Sequence, residues 1–266
     1  MENTPLTEPQ QEEHQIKIQK LQKYLNEEDK KEKSGWFGLI MAVLLALIIR
    51  SLAFEPYHIP SSSMVPTLLV GDYLFTTKFD YGYSRHSFPF SLPLISRGRL
   101  FYVQPQRGDI VIFKKPPENK TDYIKRIIGL PGDTIRMLGG RLYINDELVE
   151  RTEIGKEYWD TEAGRLFYTH YIETLPGGVS HDIYELNDDS RYDSTDLVLV
   201  PENYFFMMGD NRDNSLDSRS FGLVPAENLE GKARFIFYST NGNGWFFQFW
   251  KWSDFLRLER FFTEIK

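Results

Sequence analysis

The chain of 266 residues has no cysteine, which excludes disulfides, thiolate catalysis and Cys-type zinc sites together and leaves stability to the core. An excess of cations is missing too: the net charge is -7 and the pI about 5.4. Phosphate recognition needs clustered Lys and Arg, and with no basic stripe in the sequence nucleic acid is not an expected partner. A long apolar run is also wanting. The most nearly continuous one, residues 36–49, falls short of the roughly 20 residues that cross a bilayer before Arg50 interrupts it.

The remaining composition, 41% hydrophobic and 26% charged, suits one sizeable folded domain with a tail or anchor attached. Aromatics at 15%, including 20 Phe and 15 Tyr, favour strands. The expected class is therefore mostly β, an antiparallel β-sheet domain with an N-terminal transmembrane helix and a short C-terminal helix over 254–265. Residues 1–33 read as a polar tail, helical or disordered. Residues 34–54 read as a membrane anchor, since Arg50 can snorkel and restore the spanning length. A signal peptide is disfavoured because bulky Phe54 and Tyr57 stand where small cleavage-site residues belong. Lys30, Lys31 and Lys33 precede the anchor, so the tail is expected in the cytosol and residues 55–266 outside.

Three stretches of this outer domain carry chemistry. The first is Pro60-Ser61-Ser62-Ser63-Met64-Val65-Pro66, three hydroxyls between two prolines, followed by an apolar run; prolines fix φ, and a constrained, partly dry hydroxyl can serve as a nucleophile. The second is Tyr123-Ile124-Lys125-Arg126-Ile127-Ile128, which ends in a Pro-Gly-Asp turn. Strand alternation puts Lys125 on the face of Tyr123 and Ile127 and Arg126 on the opposite face, and apolar surroundings lower a lysine pKa. The third is Gly209-Asp210-Asn211-Arg212-Asp213-Asn214-Ser215, continuing to Asp217 and Arg219. It fails as a calcium loop, because Arg212 holds a ligand position, Ser215 replaces the turn Gly and Phe221 the bidentate Glu. Elsewhere, Gly139-Gly140 and Asn145-Asp146 mark two hairpins, 84–106 reads as a long loop, and 151–195 shows no readable pattern. The aromatic stretch 245–252 suits either core or a lipid surface.

Together with the apolar stretch upstream, these segments resemble the type I signal peptidases, membrane-anchored Ser/Lys proteases, from about Ile49 to about Arg234. The resemblance implies Ser63 as nucleophile, Lys125 as general base, Ser61 as an oxyanion donor beside the Ser63 N–H, and Ser215 as the group orienting the lysine amine. It implies supporting ion pairs Asp217 with Arg219 and Asp210 with Arg126. Substrate pockets for small residues at -1 and -3 would be lined by Ile59, Met64, Leu68, Tyr123 and Ile124. The implied partners are signal peptides of exported preproteins and the lipid bilayer; no cofactor or metal is implied, and a monomer is expected. One departure is Ser62, where the family most often has Gly, a change that matters if the position needs φ > 0.

Rival readings leave more unexplained. A Ser-His-Asp hydrolase would need one of five histidines, such as His58, and a Gly-x-Ser-x-Gly elbow that is absent around Ser63. A self-cleaving repressor would share the Ser/Lys pair, but it lacks an anchor and carries a DNA-binding domain. A membrane-tethered β-domain that only binds exported chains is the non-enzymatic alternative.

Overall fold

The computed structural model describes residues 8–88, 91, 95–96, 98–161, 164–242 and 255–266. In chain order its longer elements are helix α1 (Glu8–Leu52), strands β1 (Phe54–His58), β2 (Asp72–Thr77), β3 (Ile110–Lys114), β4 (Asp122–Gly129), β5 (Thr134–Leu138), β6 (Arg141–Ile144), β7 (Glu147–Leu148), β8 (Glu150–Thr161), β9 (Gly164–Thr174), β10 (Ser180–Glu185), β11 (Val198–Leu199) and β12 (Tyr204–Met208), helix α2 (Ser218–Phe221), and strands β13 (Val224–Pro225), β14 (Leu229–Ser239) and β15 (Thr263–Glu264). The fold is mostly β with antiparallel pairing throughout these strands. Two compact units divide it, residues 1–49 and residues 50–266.

The first unit is helical. Leu39, Ile40, Val43, Leu44, Leu47 and Ile48 are exposed in it, yet among the described residues no helix is long and apolar enough to cross a membrane. The uncharged part of α1, residues 34–49, ends at Arg50.

The second unit is built on one sheet in the order β1-β2-β14-β3-β4-β12-β13, with β15 on β14. Its central strands are apolar on both sides. Ile110 and Ile112 enter a core with Ile59, Met64 and Leu68, whereas Val111 and Phe113 enter another with Ile127, Phe205 and Met207. A sheet buried on both faces reads as continuous apolar runs rather than as alternation, which is how Ile110-Val111-Ile112-Phe113 stands in the sequence. A smaller sheet, β11-β5-β6-β7, contains the two expected turns at Gly139-Gly140 and Asn145-Asp146, where Asn145 and Asp146 both adopt positive φ.

Two expectations are corrected. The stretch 151–195 is not patternless: β8, β9 and β10 form a three-stranded antiparallel sheet. It escapes a periodicity search because Ile154, Tyr158, Leu166 and Phe167 are left exposed, so no single buried face imposes alternation. The expected C-terminal helix is absent from 256–266, which instead form a 3-10 turn at Leu258–Arg260 and the short strand β15 against Phe235 and Ile236. Edge pairing satisfies backbone groups that a lone short helix would leave open. The aromatic stretch 245–252 lies outside the described residues.

Candidate active site

The strand register brings the three chemical stretches together. Strand β4 lies between β3 and β12, and Met208 pairs with Arg126, so Gly209, next in β12's direction, comes level with Lys125. The serine loop packs against that point. A Cβ on Gly209 would stand 2.4 Å from the Ser63 carbonyl oxygen and 2.2 Å from Ser215 Oγ, separations that no side chain tolerates. Glycine here is a requirement of close approach, a common role for the residue, and the sequence offers no signal of it beyond the Gly that opens the polar box.

The box also holds the loop directly. Asn211 N–H donates to the Ser63 carbonyl at 3.2 Å, Asn211 Nδ2 to the Ser62 carbonyl at 3.1 Å, and Asn214 Nδ2 to Ser62 Oγ at 2.7 Å. Ser62 is not among the described non-glycine residues with positive φ. Its side chain therefore costs no backbone strain and accepts a bond that glycine could not.

Lys125 Nζ lies 2.6 Å from Ser63 Oγ and donates to the Ile124 carbonyl at 2.8 Å. The lysine is 3% exposed and the serine 8%. Burial of the ammonium lowers the Lys125 pKa to about 8, with Arg219 contributing in the same direction against Asp217 and Asp210. Ser61 Oγ stands 3.4 Å from Ser63 Oγ, and among the described residues no acceptor engages the Ser63 N–H.

Ser215, expected to orient the Lys125 amine, lines the same cleft as Lys125. Its hydroxyl donates to Asp217 Oδ2 at 2.7 Å, and among the described residues no hydrogen bond joins it to Lys125. Asp217 in turn accepts from Gly209 N–H at 3.0 Å and pairs with Arg219 at 2.8 Å. Burial alone would raise its carboxyl, but Arg219 and these donors hold it below the usual range. Asp210 pairs with Arg126 at 2.7 Å, both fully enclosed, and accepts from Thr67 at 2.5 Å. Both expected ion pairs are thus present, and Lys125 and Arg126 take separate partners.

Sequence reasoning missed a third buried pair, Arg212 with Glu173 on β9, together with the backbone bond from Tyr184 N–H to Asp210 O at 2.9 Å and the bond from Leu186 N–H to the Asp213 carboxylate at 2.6 Å. They fasten the β8–β10 sheet to the polar box. Only the large number of charges in the box could have pointed to them.

A cleft of about 690 Å³ opens on the pair, with Ile59, Ile112, Tyr123, Ile124, Ser61 and Ser215 in its lining. Met64 and Leu68, expected in the lining, are fully buried in the core to which Ile59 also belongs. His58 also lines the cleft, but its ring packs on Tyr73 at 4.7 Å, and among the described residues no hydrogen bond joins it to Ser63.

Lys125 against Ser63 in an apolar cleft is an arrangement that a hydrolase can use, and the relatives agree on the class. The family model "Signal peptidase, peptidase S26" matches residues 34–238. The signal peptidase I of Rickettsia akari is 41% identical over 255 residues, covering 89% of this chain and 94% of its own; that of Rickettsia canadensis is 42% identical over 248 residues, covering 86% and 92%. A solved signal peptidase I from Enterococcus faecalis is 28% identical and covers 49% of this chain and 97% of its own, with a TM-score of 0.30. The chain belongs to the signal peptidase family, peptidase S26. It is a serine peptidase that removes signal peptides.

Proposed function

We propose that the chain cuts exported preproteins after small residues at -1 and -3, with Ser63 as nucleophile and neutral Lys125 as general base. The observation that carries this reading is the 2.6 Å contact between a buried lysine amine and a serine hydroxyl. In the reaction Ser63 Oγ attacks the scissile carbonyl carbon as its proton passes to the lone pair on Lys125 Nζ. The Ile124 carbonyl accepts one amine hydrogen and so aims that lone pair. Charge on the carbonyl oxygen is met by the Ser63 N–H and by the Ser61 hydroxyl, donors already positioned before charge develops. The Lys125 ammonium then gives its proton to the departing amine, leaving an ester on Ser63. Water, losing its proton to Lys125, hydrolyses that ester and regenerates the serine.

Specificity follows from the same cleft. Ile59, Tyr123 and Ile124 make a shallow apolar wall that rejects large side chains by overlap, and overlap discriminates more sharply than a missing methylene does. Ser215 supports the amine at one remove, through Asp217. Residues 34–54 anchor the chain, with the tail cytosolic and the catalytic domain outside a bacterial cell membrane, as a monomer beside its membrane-embedded substrate. The Arg50 guanidinium, bound to Glu55 at 2.6 Å, is neutralised at the outer end of that anchor, the place where a snorkelling cation is tolerated.

The test is incubation of the detergent-solubilised chain with a preprotein and mass spectrometry of the products. A single cut after a small-x-small sequence, lost in Ser63→Ala, is expected. Cleavage that survives in Ser63→Ala would overturn the assignment.

A further inference from the structure

A second groove, of about 570 Å³, lies on the other side of the serine loop. Its lining includes Ser62, Val70, Leu166, Tyr168 and Leu186, and it shares Asp213 and Asn214 with the catalytic cleft. Ser61 and Ser63 face the catalytic cleft while Ser62, between them, faces the groove. The two depressions adjoin at Asp213 and Asn214, and the lip between them carries the bonded pair Ser62 Oγ and Asn214 Nδ2 at 2.7 Å.

The groove has fixed walls. One wall is the serine loop and Val70. The opposite wall comes from β9 and the turn after β10, and it is fastened to the polar box by the bonds from Leu186 N–H to Asp213 and from Tyr184 N–H to Asp210. Leu166 and Val70 keep 39% and 40% of their surface exposed, so apolar area stands open next to side-chain amide and hydroxyl groups, the Asp213 carboxylate and the Arg257 guanidinium. Apolar walls with a few polar groups suit an extended peptide, whose backbone needs partners and whose side chains need cover.

We infer that this groove binds the first residues of the mature chain, on the far side of the scissile bond. The inference rests on the reading that Ser63 attacks a peptide whose -1 and -3 residues occupy the first cleft. An extended chain advances about 3.3 Å per residue, so a peptide with its cut bond at Ser63 must leave the first cleft within a residue or two. The continuous exit crosses the Ser62 and Asn214 lip. Binding energy gained by residues remote from the reacting bond can be expressed in the rate of the chemical step, which gives the groove a role in catalysis as well as capture.

The experiment compares two peptide substrates with the same signal sequence, one ending just after the first mature residue and the other continuing through several, on the full chain in detergent. For the natural chain kcat/KM is expected to be on the order of 10-fold higher for the longer substrate, equivalent to about 1.4 kcal/mol. In Leu166→Trp, which fills the groove, the ratio of long to short should fall toward one, whereas Leu166→Ala should leave an intermediate ratio. Cleavage of the short substrate by each variant reports that it has folded. Equal rates on both substrates in the natural chain, or an unchanged ratio in Leu166→Trp, would overturn the groove assignment. Cleavage of either substrate by Ser63→Ala would instead overturn the nucleophile, so the two failures are distinct.

Discussion

Lys125 is the group whose setting converts most directly into numbers. Its pKa falls from the ordinary 10.5 to about 8 because the ammonium is buried, which at about 1.4 kcal/mol per pH unit corresponds to roughly 3 kcal/mol of disfavoured charge. The kinetic consequence is large: about one amine in ten is neutral at pH 7, against roughly one in 3000 for a free lysine, by the same titration relation. We expect kcat/KM to rise about tenfold per pH unit below about pH 8 and to level above it. The thermodynamic consequence has its own sign. With a folded pKa below the unfolded one, the unfolded chain binds more protons between about 8 and 10.5, so stability rises with pH across that window. Below about pH 8 the penalty is present in full, and above about 10.5 it has gone. Lys125→Met keeps much of the volume without the charge. Relative to the natural chain, it should therefore be more stable at neutral pH by up to about 3 kcal/mol, less the value of the lost hydrogen bonds, and should lose that advantage by pH ~10.5. Denaturant unfolding at a series of pH values reads the difference, and peptide cleavage at the same values reads the rate. A rate still climbing at pH ~10, or a Met advantage that does not vary with pH, would show that Lys125 is not a buried, neutralisable base.

Three further outcomes follow from the same geometry. Ser61→Ala should lower kcat by roughly 10²- to 10³-fold, the usual cost of one oxyanion donor; steady-state kinetics showing the loss mainly in KM would make Ser61 a binding residue. Gly209→Ala should cost roughly 10²-fold or more in kcat, because its methyl group must push the Ser63 carbonyl and misplace the nucleophile, and full activity in that variant would refute the close approach. Asp217→Ala should destabilise the chain by about 3–5 kcal/mol, the cost of leaving one buried partner, here Arg219, uncompensated; a thermal melt unchanged from the natural chain would show that the pair carries no such weight.

What the sequence revealed and what it hid divide along a physical line. Lys125 and Arg126 could be assigned to opposite sides because strand periodicity is a local rule, and the pairs Arg126–Asp210 and Asp217–Arg219 could be expected from resemblance. Met64 and Leu68 could not be separated from the cleft lining, since both cleft and core ask for the same apolar residue types, and only packing decides that Ile59 reaches the cleft while these two do not. The β8–β10 sheet was hidden for the opposite reason, its exposed apolar residues giving no one-sided pattern. Ser215 shows the limit most clearly. The sequence places it in the box, but whether its hydroxyl faces Lys125 or Asp217 is settled by a competition that no motif encodes. Asp217, enclosed and ionised, must find donors for both oxygens. A serine two residues away supplies one of them, so that among the described residues the lysine amine is hydrogen-bonded to the Ile124 carbonyl and to Ser63 Oγ. The proposed base, with the Tyr123 ring 5.6 Å from its amine, is therefore oriented chiefly by its own strand. Pairing of β4 on both sides, with β3 and with β12, is what fixes the position of Lys125 in the proposed mechanism.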